Sequence, residues 1–210
     1  MSVDIDRIRQ RTWRYWYEDG LSEIAGGALF VALGLVLLAE VRLPPGPARA
    51  VLATLGMPVV AVGGSLLGAR AVRAAKERLT YPRTGVVRSP RPTGRRRLLT
   101  GVVAGLISAL LVTWLGAVPS SRAWLPGLQG LLIGAGYLYV GQRFDLARFH
   151  ALAVFSAVAG AVASLTGLGD LLGSAACFWA VGAAMAAGGV WALHRYLQQP
   201  PLAEVGDDGP

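Results

Sequence analysis

From residue 21 onward the chain passes repeatedly through stretches of about twenty residues with almost no charge, the length a helix needs to cross a bilayer. Inside hydrocarbon no water is present to bond a backbone N–H or C=O. Each such stretch must therefore satisfy its own backbone, which an α-helix does. This selects an all-α fold, a polytopic transmembrane helix bundle. Composition agrees, with 15% charged residues against roughly 25% in a soluble domain. Six segments qualify as spans: 21–39, 50–69, 98–118, 124–141, 149–167 and 171–193. The fourth is the weakest, being short and opened by Pro126, a residue that suits a first helical turn.

Basic residues are distributed unequally between alternate sides. Seventeen of the twenty lie on one side: Arg7, Arg9, Arg11 and Arg14, ten from Arg70 to Arg97, then Arg143, Arg148 and Arg195. Arg42, Arg49 and Arg122 lie on the other. The excess predicts that the basic side, with both termini, is cytoplasmic. A multi-pass location in a cell membrane is expected with this pattern. Residues 1–20 mix acids, arginines and aromatics, and the apolar stretch after them is too long for a signal peptide. The first span is therefore expected to be retained. Three regions result: an N-terminal segment at 1–20, a six-span domain at 21–197 with a basic loop at 70–97, and a disordered tail at 198–210.

Residues 3–18 project as an amphipathic helix, with Ile5, Ile8, Thr12, Tyr15 and Trp16 on one side and Arg7, Arg11, Arg14 and Glu18 on the other. Such a helix lies in the interface, with Trp13 and Trp16 at headgroup depth. Its simplest role is an elbow anchoring the first span; lipid sensing or partner positioning is the sharper alternative. The basic loop adds Arg88, Arg91, Arg95, Arg96 and Arg97. Each basic residue near an anionic leaflet contributes on the order of 1 kcal/mol. Anionic lipid headgroups are thus the first partner to expect and a cytosolic protein the second. Nucleic acid is disfavoured, because Tyr81 is the loop's sole aromatic platform.

Within the spans, ionisable and polar side chains are scarce. Glu23 sits about one turn inside the first span, where a carboxylate is costly unless paired, and Arg143 or Arg148 on the same side could neutralise it. These three residues with Gln129 form the candidate intramembrane polar site. A structural ion pair is the favoured reading of Glu23, ahead of a substrate or ion site. The Pro58–Gly63–Gly64 sequence suggests a break in the second span. Gly-x-x-x-Gly pairs at 64/68, 101/105 and 130/134 predict close helix approach, within one bundle or in a homo-oligomer.

The Tyr-Glu-Asp-Gly-Leu at 17–21, together with Glu-Arg-Leu-Thr-Tyr-Pro-Arg-Thr-Gly at 77–85, resembles a group of uncharacterised small prokaryotic membrane proteins. The Arg148–Phe149 pair opening the fifth span fits the same group. Where such motifs place an aromatic after the glycine, this chain has Val86. The resemblance implies the topology above, in a prokaryotic inner (plasma) membrane, and no activity.

Several chemistries are disfavoured by the residues present. Gly167–Leu168–Gly169–Asp170 carries the Gly-x-Gly-Asp string of intramembrane aspartyl proteases, but Asp145, the nearest second acid, is a whole span away. Asp170 is expected to cap the sixth helix. His150 and His194 lack neighbouring ligands at metal spacing, Cys177 lies in an apolar run, and no glycine loop cradles phosphate. No cofactor, metal or catalytic residue is expected. The reading is a non-enzymatic membrane component docking lipid or a partner. A small transporter or permease-like subunit for an apolar or weakly polar cargo, built on Glu23, Gln129 and Pro58, is the alternative.

Overall fold

The computed structural model describes residues 19–79 and 119–198, and these contain helix and turn with no strand. We label the helices α1 (Leu21–Arg42), α2 (Pro47–Leu79), α3 (Leu125–Phe144), α4 (Ala147–Leu165) and α5 (Gly169–Leu197). A short 3₁₀ turn at Pro119–Trp124 leads into α3. The N-terminal amphipathic segment, the loop from residue 80 and the span at 98–118 lie outside the described residues, as does the tail from 199.

Four helices, α1, α2, α4 and α5, are long and apolar enough to cross a membrane. The fourth expected span also forms a helix, α3, but is not among those four. Its 20 residues include Gln129, Gln142 and several glycines that dilute its hydropathy. The second span continues as helix into the basic run, as the composition of residues 69–80 leads one to expect: α2 has 33 residues and passes beyond the apolar stretch to Leu79. No break occurs at Pro58. The helix instead makes a π-turn at Leu52–Gly56 immediately before it. A proline cannot donate to the carbonyl four residues back, and the wider π-turn accommodates that missing bond without ending the helix.

The distribution of side chains is the reverse of that in a water-soluble bundle. Val154 and Leu67 are 66% and 65% exposed, and large apolar residues face outward along α2, α4 and α5. Inside, a core that includes Tyr137, Phe149, Leu152, Val181 and Met185 is flanked by seams of small residues where backbones meet. Along α1, Gly20, Gly27 and Gly34 meet Gly189, Gly182 and Ala175 of α5, a seven-residue step on both antiparallel helices. A seven-residue step keeps one seam facing the partner as two helices wrap each other. Glycines there let the backbones approach. A Cβ on Gly27 would lie 2.6 Å from the Gly182 carbonyl oxygen, and one on Gly182 would lie 2.8 Å from that of Gly27. At Gly34 the missing side chain makes room for the Trp179 indole, which donates to the Val31 carbonyl at 3.2 Å.

The α3–α4 hairpin repeats the device. Gly130 and Gly160 face each other, and Gly134 lies against the Ala153 carbonyl. Pro126 and Gly173 bring α3 against α5. Of the Gly-x-x-x-Gly pairs, 130/134 lies in this seam, and 64/68 faces Leu29 and Ala25 of α1. The pair at 101/105 is outside the described residues.

Such seams tolerate no added atoms between backbones. Gly182→Val is expected to lower stability by about 1–3 kcal/mol through overpacking. Gly63→Ala, where an added Cβ meets nothing within 4 Å, is expected to be neutral or slightly stabilising. Thermal unfolding of both variants in detergent checks this; equal effects would contradict the seam.

Candidate functional site

Glycine at position 20 starts the construction. Gly20 has φ 69°, a left-handed conformation that a glycine adopts without strain, and it turns the chain into α1. The turn places Asp19 beside the first helical residues, where its Oδ1 accepts from the Leu21 N–H at 3.2 Å. One turn on, Glu23 projects from the same side of α1. Both acids lie at a helix N-terminus, whose unpaired N–H groups favour negative charge.

Neither carboxylate reaches solvent: Asp19 is 0% and Glu23 1% exposed. Each is matched by a cation from a different helix. Lys76 Nζ of α2 donates to Asp19 Oδ2 at 2.5 Å, and Lys76 is itself 2% exposed. Arg148 Nη2 of α4 lies 2.7 Å from Glu23 Oε1. Two acids at the start of α1, one just before the helix and one in its first turn, are thereby joined to two bases on two other helices, with formal charges that cancel. A buried ion alone costs several kcal/mol, so each acid holds its partner helix in place.

Aromatic and sulfur groups wall the cluster. Tyr137 of α3 donates its hydroxyl to Met185 Sδ of α5 at 2.7 Å and stacks on Phe149 with centroids 6.1 Å apart. The Arg148 guanidinium carbon lies 5.5 Å from the centroid of the same Phe149 ring. Glu23 Oε2 has no hydrogen-bond donor among the described residues and faces α5 at Gly188.

The candidate residues divide clearly. Glu23 and Arg148 come together, as the ion-pair reading requires. Arg143 lies instead along α3, its Nη1 donating to the Tyr139 hydroxyl at 3.4 Å. Gln129 donates to the Ser174 carbonyl at 3.2 Å, linking α3 to α5. It precedes Arg143 by fourteen helical positions, about 20 Å at 1.5 Å per residue, so it belongs to the other end of the bundle. Pro58 lies on α2, in the part of that helix remote from Lys76. Trp13, Trp16, Arg88, Arg91, Arg95, Arg96 and Arg97 are outside the described residues.

Asp19 and Lys76 were missing from the candidate polar site. The available signal was that Lys76 is the chain's sole lysine among twenty basic residues. Where arginine serves everywhere else, a single compact ammonium marks a site that a planar guanidinium does not fit.

Elsewhere, Asp145 takes a left-handed conformation, φ 53°, at the end of α3, and Asp170 lies in the first turn of α5. The cap position of α5 is Leu168; Asp170 accepts from the adjacent Leu171 N–H rather than serving as the cap itself. The 19 residues of α4 separate the two acids, about 28 Å of helix. Among the described residues no group of three or more His, Cys, Asp or Glu is placed to hold a metal.

The chain matches no protein-family model, no curated protein and no solved structure.

The Glu23–Arg148 pair has a direct thermodynamic signature. Arg148→Met leaves a buried carboxylate without its cation and is expected to cost about 2–3 kcal/mol, below the usual range for a broken buried pair because Arg148 is partly exposed. Glu23→Gln with Arg148→Met is expected to recover most of that loss. Unfolding midpoints of the two variants in detergent provide the test; additive losses would contradict the pairing.

Proposed function

We propose that this chain is a non-enzymatic, multi-pass component of a prokaryotic inner membrane whose basic cytoplasmic surface docks anionic lipid headgroups. In this reading residues 98–118 and α3 complete a six-span bundle with α1, α2, α4 and α5. Both termini, the amphipathic segment and the loop after Leu79 then lie on the cytoplasmic side, the side of the charge cluster.

The observation that carries the reading is the disposal of acid at this end of the bundle. Asp19 and Glu23 are sequestered with Lys76 and Arg148, so neither acid offsets the surrounding arginines. Arg70, Arg73, Arg78, Arg143 and Arg195 stay exposed, against two exposed acids at this end among the described residues, Glu77 and Asp145. Two of these arginines are held over outward-facing aromatic rings, Arg143 at 6.0 Å from the Tyr139 centroid and Arg195 at 5.6 Å from that of Trp191. Aromatic rings prefer the headgroup layer, and an arginine beside one is set at the depth of lipid phosphates. The loop at 80–97 adds Arg83, Arg88, Arg91, Arg95, Arg96 and Arg97 to the same side.

The five substitutions Arg88→Gln, Arg91→Gln, Arg95→Gln, Arg96→Gln and Arg97→Gln, made together in the full chain, are expected to reduce retained phosphatidylglycerol at least tenfold. This follows from about 1 kcal/mol per basic residue. Phosphatidylcholine retention should not change. Native mass spectrometry of the detergent-purified protein measures both lipids; equal phosphatidylglycerol retention by variant and wild type would overturn the proposal.

A further inference from the structure

One buried oxygen in the charge cluster has no donor. Glu23 is 1% exposed. Its Oε1 lies against Arg148 Nη2 at 2.7 Å, but its Oε2 accepts no hydrogen bond among the described residues. Buried polar atoms are nearly always matched, and an unmatched one points to a donor from outside the chain. The way to this oxygen is through α5. A Cβ built on Gly188 would lie 3.8 Å from Glu23 Oε2 and, apart from its own helix backbone, would meet nothing else within 4 Å among the described residues. Gly188 is itself partly exposed. The glycine therefore leaves a gap between the surface of α5 and the carboxylate. A turn about the soft terminal torsion of Glu23 aims Oε2 into it.

Two side chains stand over the gap. Gly188, Trp191 and Arg195 are spaced i, i+3 and i+7 on α5 and share one face. Helical side chains lean toward the N-terminus, so the ring and the guanidinium are carried back toward the level of Gly188. The Arg195 guanidinium carbon lies 5.6 Å from the Trp191 centroid, and Trp191 is 60% exposed. One turn before Gly188, the partly buried Ala184 continues the same face as a small apolar track. A cation, an exposed ring and a carboxylate thus stand side by side above an apolar track.

We propose that this face of α5 is a site for a phospholipid whose headgroup carries a primary ammonium. The phosphate rests on Arg195, the ammonium donates to Glu23 Oε2 through the gap at Gly188, and an acyl chain follows Ala184. The site rests on the reading that this end of the bundle meets lipid headgroups, and it adds a choice among them. A primary ammonium supplies N–H donors, whereas a choline has none and a glycerol headgroup has no cation. A zwitterion also keeps the formal charges of the cluster balanced, which a bare cation does not.

The test loads the detergent-purified full chain with equal amounts of phosphatidylethanolamine and phosphatidylcholine of the same acyl chains. Native mass spectrometry then counts each lipid retained. Wild type is expected to favour phosphatidylethanolamine by about tenfold, the order that one charge-assisted hydrogen bond supplies. Gly188→Ala, whose methyl fits at 3.8 Å but closes the gap, is expected to abolish the preference. Arg195→Gln is expected to lower both lipids together and keep it. Gly188→Ala should leave phosphatidylglycerol retention unchanged, whereas the five loop substitutions should lower phosphatidylglycerol and leave the preference intact. The two readings therefore fail separately. Equal retention of the two lipids by wild type overturns the site. So does a Gly188→Ala preference equal to that of wild type, or a preference lost with the loop arginines. If Gly188→Ala does not fold, Glu23→Gln with Arg148→Met carries the same test, and a preference kept in that variant overturns the site.

Discussion

Two carboxylates buried one turn apart at the start of α1 set the terms for the other helices at that end. A buried anion is tolerated only beside a cation, so α2 must present Lys76 and α4 must present Arg148 at matching heights. The apolar lipid-facing surfaces cannot impose that register, because one apolar face is much like another to a hydrocarbon solvent. The small-residue seams bring helices close, and the charge cluster then fixes their relative heights. The polar cluster thus supplies specificity where hydrophobic burial supplies none.

The sequence made the bundle legible wherever hydropathy was the deciding signal. Helices α1, α4 and α5 fall close to the expected spans, because a long uncharged stretch has few alternatives to a membrane helix. α3 is less apolar, since Gln129, Gln142 and a row of glycines serve its contacts with α4 and α5. Glu23 was legible because a lone acid in an apolar stretch demands a partner, and Arg148 was one of the two cations named to neutralise it. Lys76 was not, because it sits in a basic run that reads as a solvated surface. Its partner is 57 residues away, and no local pattern encodes that distance. The α1–α5 seam escaped for a related reason. Its glycines recur every seven residues, at 20, 27 and 34, whereas the Gly-x-x-x-Gly pattern is a four-residue step.

Structure and proposed function meet in the way charge is partitioned. The two acids at the start of α1 are drawn into the bundle with Lys76 and Arg148, while five arginines remain on its rim. In the proposed orientation, that partition turns a basic surface toward the anionic leaflet without requiring an extra domain.

The central claim is that Lys76 is buried against Asp19 in the membrane-embedded protein, and the lysine count makes it directly observable. With one lysine in the chain, ¹⁵N-lysine labelling gives a single side-chain amine signal. Solid-state NMR in lipid bilayers can then measure dipolar coupling from that nitrogen to ¹³C-labelled aspartate carboxyls. The account predicts one slowly exchanging Nζ resonance within about 3.5 Å of an aspartate Cγ, as a charge-assisted hydrogen bond requires, and loss of that coupling in Asp19→Asn. A rapidly exchanging Nζ signal with no aspartate contact would contradict it.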